Sequence, residues 1–438
     1  MSEKIQAIRG MNDVLPNESF AWRNLENTFA NCLTQYGYQQ IRLPLVESTQ
    51  LFKRTIGEVT DIVEKEMYTF NDLNGDSITL RPEGTAGCVR ACLEHGLLHN
   101  QQQKLWYAGP MFRHEKPQKG RYRQFNQLGV EAFGFEGVGI ELELIALCKR
   151  LWNILGISEH VHLEINTLGE LDERQAYRNS LVDYFKPHFH QLDEDSKRRL
   201  ERNPLRILDS KNPQMQSIIA NVPKFIDQLG EKSRQKFQDL CSGLEFLGIP
   251  YRINPFLVRG LDYYGHTVFE WITDKLGSQA TVCAGGRYDK LVEQLGGNAT
   301  FAVGFAMGIE RLMLLQETIH TPTDNEVAPE LFIIPFGTDA QLQAMVIAEA
   351  IRTQNPQWQV LVNISGGSFK SQFKRADKSR AQYALVLGED ELKNQTIGLK
   401  NLRISGEQTT IPQQQLMTFL ETHLKDALVK AGEQNVGL

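Results

Sequence analysis

The amino-acid sequence predicts an α+β protein that carries a helical insertion and ends in a separate, smaller α/β domain. Three observations predict this organisation. Residues 103–134 contain two strand patterns joined by a polar, basic loop. Residues 171–247 are polar and charged with helical periodicity, which indicates a helical insertion. Beyond residue 326 strand and helix patterns alternate, as they do in small α/β domains.

The composition is typical of a globular protein, with 41% hydrophobic and 23% charged residues among 438. Six cysteines are scattered without a CxxC pair, so we interpret them as reduced thiols in a cytoplasmic protein. The first residues lack the apolar run of a signal peptide, and no segment is long enough to cross a membrane. Because the net charge is -6, any contact with nucleic acid must come from local basic surfaces.

The first third of the chain combines helix and strand patterns. Residues 21–36 have helical spacing, and residues 41–48 predict a strand whose Pro44 suits a sheet edge or a bulge. A further strand pattern leads through a turn at Gly84 into a helix, and a second helix is predicted over residues 140–155.

Strand patterns return after the insertion, in residues 251–258 and 266–272, and residues 299–315 predict a strand that runs into a helix. A stretch rich in turn formers and acids, residues 321–330, then predicts a linker. The two domains are therefore residues 1–325 and 326–438. In the second domain we predict strands over residues 331–336, 358–363 and 383–388, and helices near residues 341–352 and 370–380.

The sequence lacks a GxxxxGK[ST] phosphate loop and the GxGxxG, HExxH and GxSxG motifs, so a nucleotide would be held without a glycine-rich cradle. It offers arginines instead, with Arg113 and Arg121 on either side of the basic loop and Arg311 near the start of a helix. A guanidinium fork matches phosphate oxygens and keeps its charge. Phe125 adds an aromatic face for a base. These residues predict a nucleotide site built on arginine.

Three segments resemble, in order, the motifs of class II aminoacyl-tRNA synthetases. Pro44 lies in the segment similar to motif one, which forms the dimer interface in that class. Residues 112–125 resemble motif two and residues 304–311 resemble motif three. Residues 259–264 and 284–289 are similar to signatures of the histidyl enzymes. The chain is thus identified, over essentially its whole length, as a member of the bacterial type of histidyl-tRNA synthetase.

The resemblance implies a class II core, with an antiparallel sheet flanked by helices, followed by an anticodon-binding α/β domain. It implies ATP-dependent activation of histidine to histidyl-adenylate and transfer to the 3' end of tRNA(His) by a homodimer. The implied partners are histidine, ATP and tRNA(His), with no membrane. ATP would be a substrate accompanied by Mg²⁺, and we assign no resident metal site.

The family pattern also assigns roles to residues of this sequence. The catalytic residues are Arg259 and Arg113, which are expected to clamp the α-phosphate and the histidine carboxylate. The histidine-binding residues are Glu83, Thr85, Gln127, Glu131, Tyr263, Tyr264 and Tyr288. The ATP-binding residues are Arg113, Glu115, Arg121, Phe125 and Arg311. The tRNA-binding residues are Gln118, Arg123, Lys370, Lys374 and Arg375. Glu131 and Tyr264 are expected to bind the imidazole nitrogens.

Alternatives remain open at this point. Arg113 alone could form a structural ion pair, Glu83 could be an acid at a helix start, and Tyr263 could be a core aromatic. Gly285 and Gly286 are expected at a turn that approaches the ligand. The insertion could be a spacer or an RNA clamp. The whole chain could also be a non-catalytic regulatory subunit of ATP phosphoribosyltransferase, or a class II synthetase for another amino acid.

Overall fold

The computed structural model describes residues 4–57, 60, 62–210, 212–258, 263–319 and 328–433. The chain forms two compact units, Met1–Asp324 and Asn325–Leu438. The helices of the first unit are α1 (Pro16–Gln35), α2 (Thr49–Ile56), α3 (Thr85–Glu94), α4 (Gly139–Ile154), α5 (Leu171–Phe185), α6 (Glu194–Arg202), α7 (Pro213–Ile219), α8 (Glu231–Phe246), α9 (Leu291–Gln294) and α10 (Ile309–Ile319). Its strands are β1 (Gln39–Gln40), β2 (Val46–Ser48), β3 (Tyr68–Asn71), β4 (Ser77–Leu80), β5 (Gln103–Phe112), β6 (Gln124–Phe133), β7 (His162–Thr167), β8 (Tyr251–Ile253), β9 (Gly265–Ile272), β10 (Thr281–Arg287) and β11 (Ala302–Gly308).

An eight-stranded sheet in the first unit confirms the predicted α+β class. Its strand order is β1-β5-β6-β11-β10-β9-β7-β8. The six central strands pair antiparallel in this order. The two parallel pairs, β1 with β5 and β7 with β8, lie at the edges. A smaller sheet of β2, β4 and β3 lies apart from the large one.

The two faces of the large sheet have different roles. Side chains alternate along a strand, and in β6 Leu128 and Val130 belong to the same buried apolar cluster as Phe29 of α1 and Leu144 of α4. Phe133 belongs to a second cluster, which includes residues of α3 and β5. One face is therefore covered by long helices, and the other face is left for a site.

Two predicted strands of the first unit are longer than the observed ones. In residues 41–48 only β2 is a strand, and Pro44 lies outside it because proline cannot donate to a sheet ladder. Strand β8 covers only the first three residues of 251–258 and ends before Pro255 for the same reason.

The prediction of a turn at Gly285 and Gly286 is wrong, because both residues lie within β10. A Cβ atom at Gly285 would come within 2.4 Å of the carbonyl oxygen of Gly304 in the neighbouring β11. Glycine is therefore required at this position because two strands approach closely. In a sequence, a glycine of this kind cannot be distinguished from a glycine at a turn.

Helices α5 to α8 confirm the helical pattern of the insertion. Their own apolar cluster includes Leu181, Phe185 and Met215. Tyr177 of α5 stacks on Phe225, with 4.7 Å between ring centroids. The last helix, α8, also packs against α4, where a Cβ atom at Gly243 would lie 2.4 Å from Leu142. The insertion therefore has a core of its own and a close contact with the main core.

The second unit confirms the predicted α/β alternation. Its strands are β12 (Leu331–Pro335), β13 (Val360–Val362), β14 (Tyr383–Leu387), β15 (Thr396–Asn401) and β16 (Thr409–Pro412), and its helices are α11 (Thr338–Gln354), α12 (Phe369–Lys378), α13 (Glu389–Asn394) and α14 (Leu416–Glu433). The sheet order is β13-β12-β14-β15-β16, with the first three strands parallel. The sequence patterns did not predict the antiparallel pair β15–β16. None of the helices within the described residues combines the length and the apolar composition that a membrane span requires.

Candidate active site

A pocket of about 300 Å³ opens on the face of the large sheet that the long helices leave uncovered. In β6 the side chains of Phe125, Gln127 and Glu131 share this face because alternate residues of a strand point the same way. Glu83 and Thr85, at the start of α3, contribute to the wall. The predicted residues that line the pocket are Glu83, Thr85, Gln127, Glu131, Tyr263 and Tyr264, together with Arg113, Glu115, Arg121, Phe125 and Arg311.

Glu131 is a buried carboxylate held by hydroxyl groups. Its Oε1 accepts hydrogen bonds from Thr85 at 2.8 Å and from Tyr107 at 2.9 Å, and its Oε2 accepts one from Tyr288. Burial raises the pKa of Glu131 to about 8, although the three hydroxyl donors favour the charged form. The pocket therefore ends in a carboxyl group whose ionised form can accept a further hydrogen bond.

Three glycines make room for this arrangement. A Cβ atom at Gly84 or Gly129 would lie 2.1 Å from the ring of Tyr107, and one at Gly304 would lie 2.0 Å from Glu131. Sequence reasoning did not identify Tyr107. Glycine inside a strand marks a close approach, so Gly129 was the available signal, but it does not reveal which side chain approaches.

Glu83 lies at the start of α3 and is also buried in the pocket wall. Its carboxylate accepts the backbone N–H groups of Thr85 at 2.6 Å and Ala86 at 3.0 Å. Burial raises the pKa of Glu83, and these two N–H groups and the charge of Arg113 oppose the increase. Both interpretations of Glu83 are thus compatible with the geometry, since the carboxylate caps the helix and faces the pocket.

Three tyrosines form a buried cluster beside Glu131. The ring centroids of Tyr263 and Tyr264 are 4.8 Å apart, and that of Tyr288 lies 5.6 Å and 6.1 Å from them, respectively. Tyr263 and Tyr264 line the pocket, whereas Tyr288 lies behind the wall and reaches Glu131 through its hydroxyl. Arg259, the predicted partner of Arg113, lies outside the described residues.

The other end of the pocket is cationic. Arg311 donates to the carbonyl oxygens of Thr281 at 2.8 Å and Gly120 at 3.2 Å. Burial, followed by the charges of Arg113 and Arg121, lowers the pKa of Arg311 to about 10. Three guanidinium groups therefore gather at this end, where their planar forks suit the oxygens of a polyanion.

The remaining contacts of this end orient the arginines. Arg113 donates from Nε to the carbonyl oxygen of Pro82 at 2.8 Å, and its guanidinium carbon lies 5.3 Å from the ring centroid of Phe125. Arg121 forms an ion pair with Glu115. The structural interpretation of Arg113 as an ion-pair partner alone does not explain its place in the pocket wall beside Phe125.

Sequence reasoning also did not identify two carboxylates at this end, Glu270 and Glu310, and both line the pocket. Glu310 accepts from the backbone N–H of Asn126 at 2.7 Å and from its side-chain amide at 3.1 Å. Burial raises the pKa of Glu310, and these donors oppose the increase. Among the described residues no group of three or more His, Cys, Asp or Glu side chains is arranged to hold a metal by itself.

None of the predicted tRNA-binding residues is part of the pocket wall. Gln118 forms a backbone bridge with Arg121, and Arg123 donates to the carbonyl oxygen of Glu115 at 3.2 Å. Lys370 and Lys374 are exposed on α12 of the second unit. Arg375 lies on the same helix and donates to the carbonyl oxygen of Gly366.

Comparison with known proteins is consistent along the whole chain. The family model described as histidyl-tRNA synthetase matches residues 10–312, and the model described as anticodon binding domain matches residues 330–423. Proteins named histidine–tRNA ligase from the Paris and Philadelphia 1 strains of Legionella pneumophila are each 65% identical over 422 residues, which is 96% of this chain and 99% of theirs.

Solved structures have the same architecture. The apo histidyl-tRNA synthetase of S. aureus matches with a TM-score of 0.79 and 38% identity, covering 95% of this chain and 99% of that one. A Bacillus halodurans structure, described as an ATP phosphoribosyltransferase regulatory subunit/histidyl-tRNA synthetase, matches with a TM-score of 0.64 and 21% identity, covering 89% and 99%. At this lower identity the likeness indicates the fold alone.

Proposed function

Because the chain belongs to the histidyl-tRNA synthetase family, we propose that it activates histidine with ATP and transfers the histidyl group to the 3' end of tRNA(His). The observation that carries this proposal is the pocket itself. It has a buried carboxylate among hydroxyl groups at one end and three arginines at the other. The regulatory-subunit alternative is disfavoured, since relatives of 65% identity are named ligases and the arginines and the second domain are all present.

The carboxylate end suits histidine. We expect Glu131 to accept an imidazole N–H and the Tyr264 hydroxyl to contact the other ring nitrogen, while Glu83 and Gln127 hold the ammonium. The Thr85 hydroxyl donates its hydrogen to Glu131, so it retains lone pairs for the ammonium. An amino acid without these ring nitrogens would leave the buried groups unpaired, which can reduce its use by a factor of ~10⁴.

The cationic end suits the triphosphate. Attack of the histidine carboxylate on the α-phosphate forms the adenylate and releases pyrophosphate. The step brings two anions together, and Arg113, with Arg259 by family resemblance, would neutralise them. Arg121 and Arg311 would hold the outer phosphates, and Phe125 offers the adenine an aromatic surface. No protein nucleophile is required, because the rate enhancement comes from positioning and charge stabilisation.

A magnesium ion would be shared between the protein and the phosphates. Mg²⁺ prefers oxygen ligands and is commonly held by one or two carboxylates together with substrate phosphates. Glu270 and Glu310 line the arginine-rich end of the pocket and supply such oxygens, so the residues present fit the ion. When bound, it would reduce the negative charge of the phosphate oxygens.

Contacts to tRNA are proposed on two surfaces. Gln118 and Arg123 lie on the loop between β5 and β6, next to the arginine end of the pocket, and suit the acceptor end. Lys370 and Lys374 are exposed cations that can contact phosphates near the anticodon. Arg375 has part of its guanidinium engaged by Gly366 and would contribute less.

We also propose that the protein is a homodimer through the segment around Pro44. Three large apolar side chains near this segment are exposed, Leu45 at 43%, Val46 at 38% and Phe70 at 47%. A second copy would remove them from water. Light scattering at micromolar concentration is expected to give twice the mass of one chain, and a stable monomer would contradict the proposal.

The first test is ATP–pyrophosphate exchange with each of the twenty amino acids in the absence of tRNA. Exchange with histidine alone is expected. Exchange with a different amino acid would overturn the roles of Glu131 and Tyr264 but keep the synthetase chemistry. Absence of exchange in folded protein with Mg²⁺ would favour the regulatory subunit.

A further inference from the structure

The backbone of Tyr264 is held by a side chain from the helical insertion. Nη1 of Arg174, at the end of the first turn of α5, donates to the carbonyl oxygen of Tyr264. Tyr264 immediately precedes β9, so this carbonyl lies just outside the strand that enters the large sheet. Arg174 and Tyr264 also share the walls of two further cavities, of about 180 Å³ and 660 Å³, between the insertion and the sheet.

The first turn of α5 is itself fixed in place. The Glu173 carboxylate accepts the N–H of Glu170 at 2.6 Å, the hydroxyl of Ser233 at 2.6 Å and the N–H of Gly230 at 2.7 Å. Ser233 lies in the first turn of α8, and Gly230 immediately precedes that helix. Arg174, which follows Glu173, therefore projects from a helical turn that these three hydrogen bonds hold in place.

A second link joins the same two segments through the backbone. The N–H of Leu168 donates to the carbonyl of His266 at 2.7 Å, and the N–H of His266 donates to the carbonyl of Gly169 at 3.1 Å. His266 has a φ of 48°, in the left-handed region that is uncommon for a residue other than glycine. This left-handed residue lies inside β9, two residues after Tyr264, and both of its backbone groups are bonded to the segment that enters the insertion.

We propose that Arg174 is a positioning residue for histidine recognition and acts through Tyr264. The inference rests on the proposed function, in which the Tyr264 hydroxyl contacts the imidazole. Tyr264 is only 6% exposed and its ring lies against Tyr263, so the position of its hydroxyl depends on the position of its backbone. Since the hydroxyl is at the far end of a rigid ring, a small movement of the backbone displaces it substantially. The insertion would then be part of the specificity apparatus rather than a spacer.

The test compares R174M with R178M in histidine-dependent ATP–pyrophosphate exchange. Methionine keeps an apolar stem but removes the donor. Arg178 is the matched control, because it lies one turn further along α5 and donates within the insertion, to the carbonyl of Arg202 at 2.9 Å. R174M is expected to raise KM for histidine about tenfold while KM for ATP changes by less than about twofold, since the hydrogen bond that it removes comes from a charged donor. R178M is expected to change neither constant by more than about twofold.

A conservative variant and a double-mutant cycle separate positioning from general loss of structure. R174K retains the charge and a donor, so its KM for histidine should lie between those of wild type and R174M. It also supports the same comparison if R174M does not fold. If Arg174 acts through Tyr264, R174M should change KM for histidine by less than about twofold in a Y264F background.

Three results would overturn this inference. The first is equal behaviour of R174M and R178M, and the second is an additive effect of R174M on Y264F. The third is a parallel rise of KM for histidine and ATP, which would indicate a merely structural role. Wild-type protein without histidine-dependent exchange would instead contradict the proposed function, so the two failures are distinguishable.

Discussion

At the scale of single residues, the buried carboxylate of Glu131 is held by the hydroxyls of Thr85, Tyr107 and Tyr288. Burial raises the pKa of Glu131 to about 8, whereas these three donors favour its charged form. A further donor would favour the charged form more. In the proposed function the imidazole N–H of histidine is that donor.

Replacing the carboxylate by an amide should separate histidine recognition from nucleotide binding. In E131Q the amide has a donor of its own, which conflicts with the three hydroxyls and weakens acceptance of the imidazole N–H. We expect kcat/KM for histidine in pyrophosphate exchange to fall by about a hundredfold or more, with KM for ATP within about twofold. Glu136 is exposed and outside the pocket wall, so E136Q is the control. Equal effects of the two variants would contradict the role of Glu131.

The raised pKa of Glu131 also predicts a pH dependence of stability. Burial raises this pKa from 4.5 to about 8, so the native state retains a proton that the unfolded chain loses. The stability contributed by this group is therefore present below the unfolded value and is lost as pH rises toward 8. Urea denaturation should show the free energy of unfolding of wild type falling relative to E131Q by up to about 1.4 kcal/mol per pH unit between about pH 5 and about pH 8. A difference that is constant with pH would exclude this shift.

At the scale of secondary-structure elements, the pocket depends on how closely β5, β6 and α3 approach one another. The ring of Tyr107 in β5 occupies the space that side chains at Gly129 in β6 and at Gly84 before α3 would fill. Gly304 in β11 does the same for Glu131. The close approach of these elements thus places Tyr107 and Glu131, and Gly304 itself lines the pocket.

The G129A variant tests this packing. Its Cβ atom would lie 2.1 Å from Tyr107, so the ring or the strand must move. Overpacking of this kind typically costs about 1–3 kcal/mol, and KM for histidine should rise because Tyr107 holds Glu131. G137A is the control, since nothing lies within 4 Å of its added Cβ atom. The free energy of unfolding from urea denaturation and pyrophosphate exchange measure the two effects, and a G129A variant as stable and active as G137A would contradict the argument.

At the scale of the whole molecule, the chain consists of two units with separate apolar cores. The pocket for activation is contained in the first unit. The matches to the two family models divide in the same way, at residues 10–312 and 330–423. We therefore expect that changes in the two units alter activation of histidine and binding of tRNA independently.

The double variant K370A/K374A should weaken tRNA binding without affecting activation. Both lysines are exposed on α12, and removing a lysine that neutralises a phosphate reduces both the affinity for tRNA and the dependence of that affinity on salt. We expect KM for tRNA in aminoacylation to rise about tenfold, while pyrophosphate exchange stays within about twofold of wild type. Lys393 on α13 is an exposed control in the same unit. If K393A has the same effect, α12 has no special role.

Much of the architecture was determined by the sequence alone. Periodicity predicted the paired strands β5 and β6, the helices of the insertion and the alternation that begins at β12, because hydrophobic spacing follows the local backbone conformation. The arginines of the basic loop and Arg311 were predicted to share a nucleotide site, and Arg113, Arg121 and Arg311 line one pocket. The family resemblance extended this to the histidine end.

Only the tertiary structure decided which groups complete the site. Tyr107 donates to Glu131 across paired strands, Arg174 reaches Tyr264 from an inserted helix, and Gly285 is required by a neighbouring strand instead of a turn. Local periodicity indicates which residues share a face of an element, but not which other segment packs against that face. None of these contacts therefore follows from it. The raised pKa of Glu131 has the same origin, since burial is produced by segments distant in sequence.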